Sequence, residues 1–168
     1  MPEFISALRE NDISCLVDVR SSPYSKYRPE FSRESLDSLL SENGIRYVFL
    51  GDSLGGRPDA PECYVDGKVD YQLVSARDAY IRGIERVVRA RELGMRVALM
   101  CSEGKPEECH RSKLIGVSLT EREIPVIHID EENIPKSQDE IIGRLTGHQL
   151  GLFGEPSFTS RKRYEPQT

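Results

Sequence analysis

Four short apolar runs punctuate the chain, at 13–19, 47–50, 95–101 and 125–129. Helical spacing fills the stretches between them. Leu36, Leu39 and Leu40 recur within 32–43, which opens on Ser32 and stops at Asn43-Gly44. Ile81, Ile84, Val87 and Val88 share one face of a long pattern over 70–93, with Gly94 as its stop signal. Leu114, Ile115, Val117 and Leu119 mark 109–121, and 139–146 reads as a shorter helix. Such punctuation is what ends helices. The run 95–101 is nearly continuous in apolar residues, as in a strand buried on both faces. Strands alternating with helices predict βαβ units, an α/β fold and a mostly parallel sheet. No repeat or second domain is visible, so one domain is expected over 1–147, followed by a loose, flexible tail over 148–168 that is rich in Gly, Pro, Ser and basic residues. The chain opens directly in a helical pattern at 2–8, which leads us to expect a missing upstream strand.

Composition narrows the function classes. The 168 residues carry a net charge of −5, which disfavours a protein coated in nucleic acid by bulk charge but allows a local basic patch. No apolar run approaches the roughly 20 residues of a membrane helix, so no membrane association is expected. The four cysteines, Cys15, Cys63, Cys101 and Cys109, lie in a chain without secretory features. They read as reduced thiols of a cytoplasmic protein.

Candidate chemistry gathers where strands end. Ligands of open parallel sheets bind beyond the carboxyl ends of the strands, and Cys101 closes the strongest strand. The loop 102–108 then leads toward a helix near Cys109-His110-Arg111. A helix start favours an anion and would depress the pKa of a nearby thiol. Lys105 and Arg111 add charge there. Cys101 is therefore a candidate nucleophile, His110 and Glu103 candidate proton carriers, and Cys109 and Arg111 candidate ligand-binding groups. A zinc site built on Cys101, Cys109 and His110, with Cys63 as a fourth ligand, is conceivable but disfavoured, because no Cys-x2-Cys spacing supports it. No metal or cofactor is expected. His128, in mid-strand, reads as a packed or hydrogen-bonded histidine.

A second cluster follows the first strand. Asp18 and Arg20 either pair structurally or act on a ligand, with Asp18 orienting a base or sugar. Arg20, Lys26 and Arg28 would form a positive rim, Ser25 a further binding group, and Tyr24, Tyr27 or Phe31 a stacking surface for a base. The glycines of 51–56 permit close backbone approach to a ligand.

The run Val17-Asp18-Val19-Arg20 with Ser22-Pro23 and Ser25, then Pro29-Glu30-Phe31, Leu54-Gly55-Gly56, Cys101-Ser102-Glu103, Cys109-His110-Arg111 and Val126-Ile127-His128-Ile129 resembles the domain-of-unknown-function 488 family over roughly residues 1–150. The resemblance implies a Rossmann-like three-layer sandwich and an unassigned activity. It also implies shared polar positions at Asp18, Arg20, Ser25, Cys101, Glu103, Cys109, His110 and Arg111. Family members usually begin with a strand and a Thr-x-Gly-His-Ser-type segment that this chain lacks. Cys101 and its loop are loosely similar to the Cys-x5-Arg cradle of tyrosine phosphatases and rhodaneses, but Glu107 stands where the Arg would be, which disfavours phosphatase chemistry.

In the tail, Gln149-Leu150-Gly151-Leu152-Phe153 resembles the bacterial sliding-clamp-binding pentapeptide. Leu152 and Phe153 would fill a hydrophobic pocket, with Leu150 beside them and Gln149 at its rim. The basic run 161–163 would touch DNA phosphates. Two readings follow. One is an enzyme acting on a nucleotide or nucleic acid, in DNA repair or modification. The other is a non-catalytic adaptor that senses a ligand or docks on a sliding clamp.

Overall fold

The computed structural model describes residues 1–147 and 158–164. At its centre lies a three-stranded parallel sheet of order β2-β1-β5, where β1 is Cys15–Asp18, β2 is Arg46–Phe49 and β5 is Val97–Met100. β1 is buried along its whole length because both of its edges are paired and both of its faces are covered. Cys15, Val17 and Val19 pack into one apolar cluster with Leu54, Ile84, Val87 and Ile115. Leu16 joins a second cluster with Ile5, Leu8, Leu36, Leu40 and Ile45. Helices α1 (Pro2–Glu10) and α2 (Arg33–Glu42) therefore cover one face, and α5 (Asp78–Glu92) with the turns that follow Cys109 covers the other. The molecule is a mixed α/β fold.

The helical pattern over 70–93 is divided. Asp70 accepts from the backbone N–H groups of Gln72 and Leu73 and caps α4 (Tyr71–Ser75), and α5 begins afresh at Asp78. The glycine-bearing loop forms one turn of helix, α3 (Gly51–Leu54). A small hairpin of β3 (Tyr64–Val65) and β4 (Lys68–Val69) precedes α4. Residues 109–121 form a π-helical turn over Arg111–Gly116 that runs into α6 (Val117–Thr120), where a regular α-helix was expected.

The run 125–129 does not join the parallel sheet. Its β6 (Ile127–Ile129) pairs antiparallel with β7 (Pro135–Ser137), which leads into α7 (Gln138–Thr146). Ile127 is 61% and Ile129 39% exposed, whereas His128 is buried. That period-2 alternation belongs to a ribbon with one wet face and not to a parallel strand buried on both.

Of the segment expected as a tail, residues 158–164 are described. Residues 158–164 pack along β4 and the start of α4. Tyr71 N–H donates to the Phe158 carbonyl at 3.1 Å, Ser160 N–H to Val69 at 2.9 Å and Tyr164 N–H to Gly67 at 2.7 Å. Ser160 is buried, and its hydroxyl accepts from Val69 N–H at 3.0 Å. Phe158 and Tyr164 cover the apolar cluster beneath.

Candidate active site

The chain leaves β1 for β2 on one side and reaches β5 on the other, so the connections diverge at the β1–β5 gap. Crevices beyond the carboxyl ends of such strands are where open α/β sheets place ligands. Asp18 is in register with Met100, and Val19 N–H donates to the Met100 carbonyl at 3.0 Å. Cys101 therefore stands beside Val19-Arg20, which brings the two clusters read from the sequence together.

Cys101, Cys109 and His110 form the centre of this edge. The His110 Nε2–H donates to the Val19 carbonyl at 3.2 Å. That bond assigns the proton to Nε2 and leaves the Nδ1 lone pair facing the two thiols. Nδ1 lies 3.7 Å from Cys101 Sγ and 3.9 Å from Cys109 Sγ. Gly56 makes room for the ring, since a Cβ there would lie 2.8 Å from the imidazole.

The thiols are not equivalent. Cys109 Sγ, fully buried, lies near the Cys101 thiol and accepts charge-assisted bonds from Arg111, whose Nε lies at 3.1 Å and backbone N–H at 3.4 Å. The neighbouring Cys101 thiol, aided by Arg111, outweighs burial and holds Cys109 down to about 6. Cys101 moves the other way: Cys109 beside it, and then its burial, push it up to about 12. The low-pKa thiol expected at Cys101 thus sits at Cys109, because Arg111 points its donors there.

Arg111 differs from its expected role as an anion holder. Its remaining donors reach the carbonyls of Leu99 (3.3 Å) and Glu103 (2.7 Å), which ties the loop to the end of β5. It does not line the cleft. Asp18 is likewise internal, with its carboxylate fully buried and accepting from Arg20 Nε (2.9 Å), Arg20 Nη2 (2.6 Å), Arg20 N–H (3.1 Å) and Tyr47 OH (2.7 Å). With every lone pair used, Asp18 positions Arg20 and has no capacity left for a base or sugar. Burial first, then this bond, pushes the Tyr47 phenol far above its ordinary value.

The cleft over this floor holds about 240 Å³. Cys101 and His110 line it, together with Arg20, Arg57, Arg161 and Lys162 as cations and Glu103 and Glu108 as anions. Arg161 bridges Glu103 at 3.4 Å and Glu108 at 3.1 Å, and Arg57 stacks on the Tyr164 ring at 4.4 Å.

Other sequence candidates stand elsewhere. Ser25 accepts from Arg28 N–H at 3.2 Å, and Arg28 pairs with Glu30 at 2.6 Å; neither lines the cleft. Phe31 packs on Phe4 with ring centroids 5.3 Å apart, and Lys105 approaches Glu131 at 4.0 Å. Tyr24 and Tyr27 are 71% and 89% exposed. The glycines of 51–56 admit the protein's own backbone and the His110 ring, and Gly56 also lines the cleft: a Cβ at Gly51 would collide with the Arg20 carbonyl. Gln149, Leu150, Leu152 and Phe153 lie outside the described residues.

Cleft residues Arg57, Tyr71 and Tyr164 carried no motif, and only the long-range pairing of 158–164 with β4 exposes their role.

The family model "Domain of unknown function DUF488" matches residues 1–117. The chain belongs to this family. The matched span takes in Asp18, Arg20 and the whole Cys101–Arg111 loop, and ends before β6 and the docked segment that closes the cleft. No curated protein and no solved structure matches the chain. Among the described residues, no helix is long and apolar enough to cross a membrane.

Proposed function

We propose that this DUF488 chain is an enzyme acting on a nucleotide or a single-stranded nucleic acid, with the cleft at the β1–β5 edge as its active site. One observation carries the reading: Cys101 and His110, on the floor, share a single cleft with four cationic side chains, Arg20, Arg57, Arg161 and Lys162. A thiol and an imidazole beneath a cationic rim suit a substrate that presents a phosphate to the rim and its reacting bond to the floor. Exposed Tyr24 and Tyr27, on the loop that leaves the cleft at Ser21-Ser22, offer faces on which bases stack.

In this reading Arg57 and Lys162 receive the phosphate. Arg20 is held by Asp18 and turns one guanidinium edge toward it. Glu103 and Glu108 hold Arg161 until the substrate's anion competes for it. The protein's net negative charge makes the rim the local exception, so binding should be salt-sensitive.

The test is fluorescence anisotropy of a labelled oligothymidylate, with mononucleotides as competitors, across a salt series. Lys162→Ala and Arg57→Ala should each weaken binding by roughly tenfold, about 1.4 kcal/mol, and lower the salt slope. No binding of either probe, or variants indistinguishable from wild type, overturns the reading.

A further inference from the structure

Cys101, Cys109 and His110 present two sulfurs and one imidazole nitrogen that all lie within 4.8 Å of one another. Nδ1 faces both thiols at 3.7 and 3.9 Å, while the opposite ring nitrogen is committed to the Val19 carbonyl. Two ligands on a tetrahedral zinc, with Zn–S about 2.3 Å and Zn–N about 2.05 Å, stand roughly 3.6 Å apart. The two sulfur–nitrogen separations need to close by only a few tenths of an ångström, and the two sulfurs, which lie within 4.8 Å of each other, by up to about 1 Å.

The surroundings match as well. A metal-bound imidazole is commonly oriented by a backbone carbonyl on its other nitrogen, which the Val19 carbonyl supplies. Arg111 donates Nε–H and backbone N–H to Cys109 Sγ, as outer-shell groups do to a metal thiolate. Gly56, against the ring, removes the side chain that would push the imidazole out of place. Cys63 lies in the apolar cluster and outside this group.

We infer that Cys101, Cys109 and His110 form a three-ligand zinc site whose fourth position opens into the cationic cleft. Three protein ligands with one open position is the catalytic arrangement of zinc, whereas structural sites are closed by four. Two thiolates and a neutral imidazole bring the dication to net neutrality, and soft sulfur donors exclude magnesium and calcium. The open position would face the cleft that Arg20 lines with Cys101 and His110, where a water or a phosphoryl oxygen would reach the metal. Zinc there polarises such an oxygen or lowers the pKa of the bound water. Cys101 is then a ligand and not a nucleophile. This inference deepens the reading of the cleft as an active site and rests on it for the ligand's identity. The metal site itself is testable with no nucleotide present.

The full chain, freed of metal by a chelator and kept reduced, is titrated with Zn²⁺ and separately with Co²⁺. One equivalent of either should bind. The cobalt form should show sulfur-to-cobalt charge-transfer absorption and the intense visible bands of a four-coordinate ion. Cys101→Ser and His110→Gln should weaken zinc by more than the roughly 10- to 100-fold that loss of an outer-shell partner costs, and Gly56→Ala should fall within that range. Circular dichroism of the metal-free variants separates lost folding from lost ligation. The wild-type cobalt spectrum needs no variant at all. Absence of stoichiometric binding to reduced wild type, or charge-transfer bands that persist undiminished in Cys101→Ser, overturns the inference. Zinc binding without oligothymidylate binding would overturn only the substrate reading, and the converse only the metal.

Discussion

Arg20 and Arg111 stand at the same sheet edge, yet the fold uses them differently. Arg20 is 8% exposed and forked onto the fully buried Asp18, while its Nη2 also donates to the Phe31 carbonyl at 2.8 Å. Burying a guanidinium is tolerable only with such a partner, and removing one member strands the other charge. Asp18→Ala should therefore destabilise the protein by about 3–5 kcal/mol in urea unfolding. Tyr47→Phe, which removes one of four donors to the same carboxylate, should cost about 1 kcal/mol. Similar losses for both would mean that the pair is not held as described.

The turn after Cys109 is the element that sets the site. A π-helical turn widens the backbone and is frequent at functional sites. Here it spans Arg111–Gly116 directly beside the ligand-bearing loop. Gly116 is its close contact with α7, because a Cβ there would collide with the Gln138 carboxamide. Gln138 donates to the Ser112 carbonyl at 2.8 Å and accepts from His128 Nε2, linking the turn to β6. Gly116→Ala should cost about 1–3 kcal/mol by overpacking, read as a lowered midpoint in thermal melting. The same link makes a pH prediction. Burial, then Arg111 nearby, holds His128 below its ordinary 6.5 despite Gln138 and Glu107 pulling the other way. The unfolded chain therefore takes up the proton first. The contribution of His128 is complete above about pH 6.5 and declines as pH falls below it. Thermal melts at pH 7 and pH 5 should show a larger loss for wild type than for His128→Gln; equal losses would exclude His128 as the cause.

At the scale of the whole molecule, the segment 158–164 returns across the chain to close the cleft. Its backbone is paired with β4, while Arg161 reaches back to the loop after β5 through Glu103 and Glu108. These pairs are half exposed and add little to stability, on the order of 0–1 kcal/mol. They tether 102–108 all the same. Arg161→Ala should leave the unfolding midpoint nearly unchanged and speed amide hydrogen exchange across 102–108. A large stability loss with unaltered exchange would contradict that division of roles.

Local sequence determined the three parallel strands, within two residues at their ends, and helices α1, α2 and α7, because apolar spacing and end signals are local properties. It also placed Cys101, Cys109 and His110 close together, since the loop joining them is short. The rest was decided by tertiary contacts. The run 125–129 has the residues of a buried strand but takes an antiparallel partner at 135–137, a choice that depends on which edges the packed helices leave open. Arg111 and Asp18 have the chemistry of ligand-binding groups, and only the packed structure shows their donors and acceptors already satisfied. Which thiol is favoured as thiolate is set by the packing of Cys101 and the Arg111 Nε–H and backbone N–H against Cys109, a matter of three-dimensional geometry. The cationic rim joins residues from 20 to 162, distant in sequence and brought together only when the sheet edge, the loop after β2 and the docked segment 158–164 pack around one cleft.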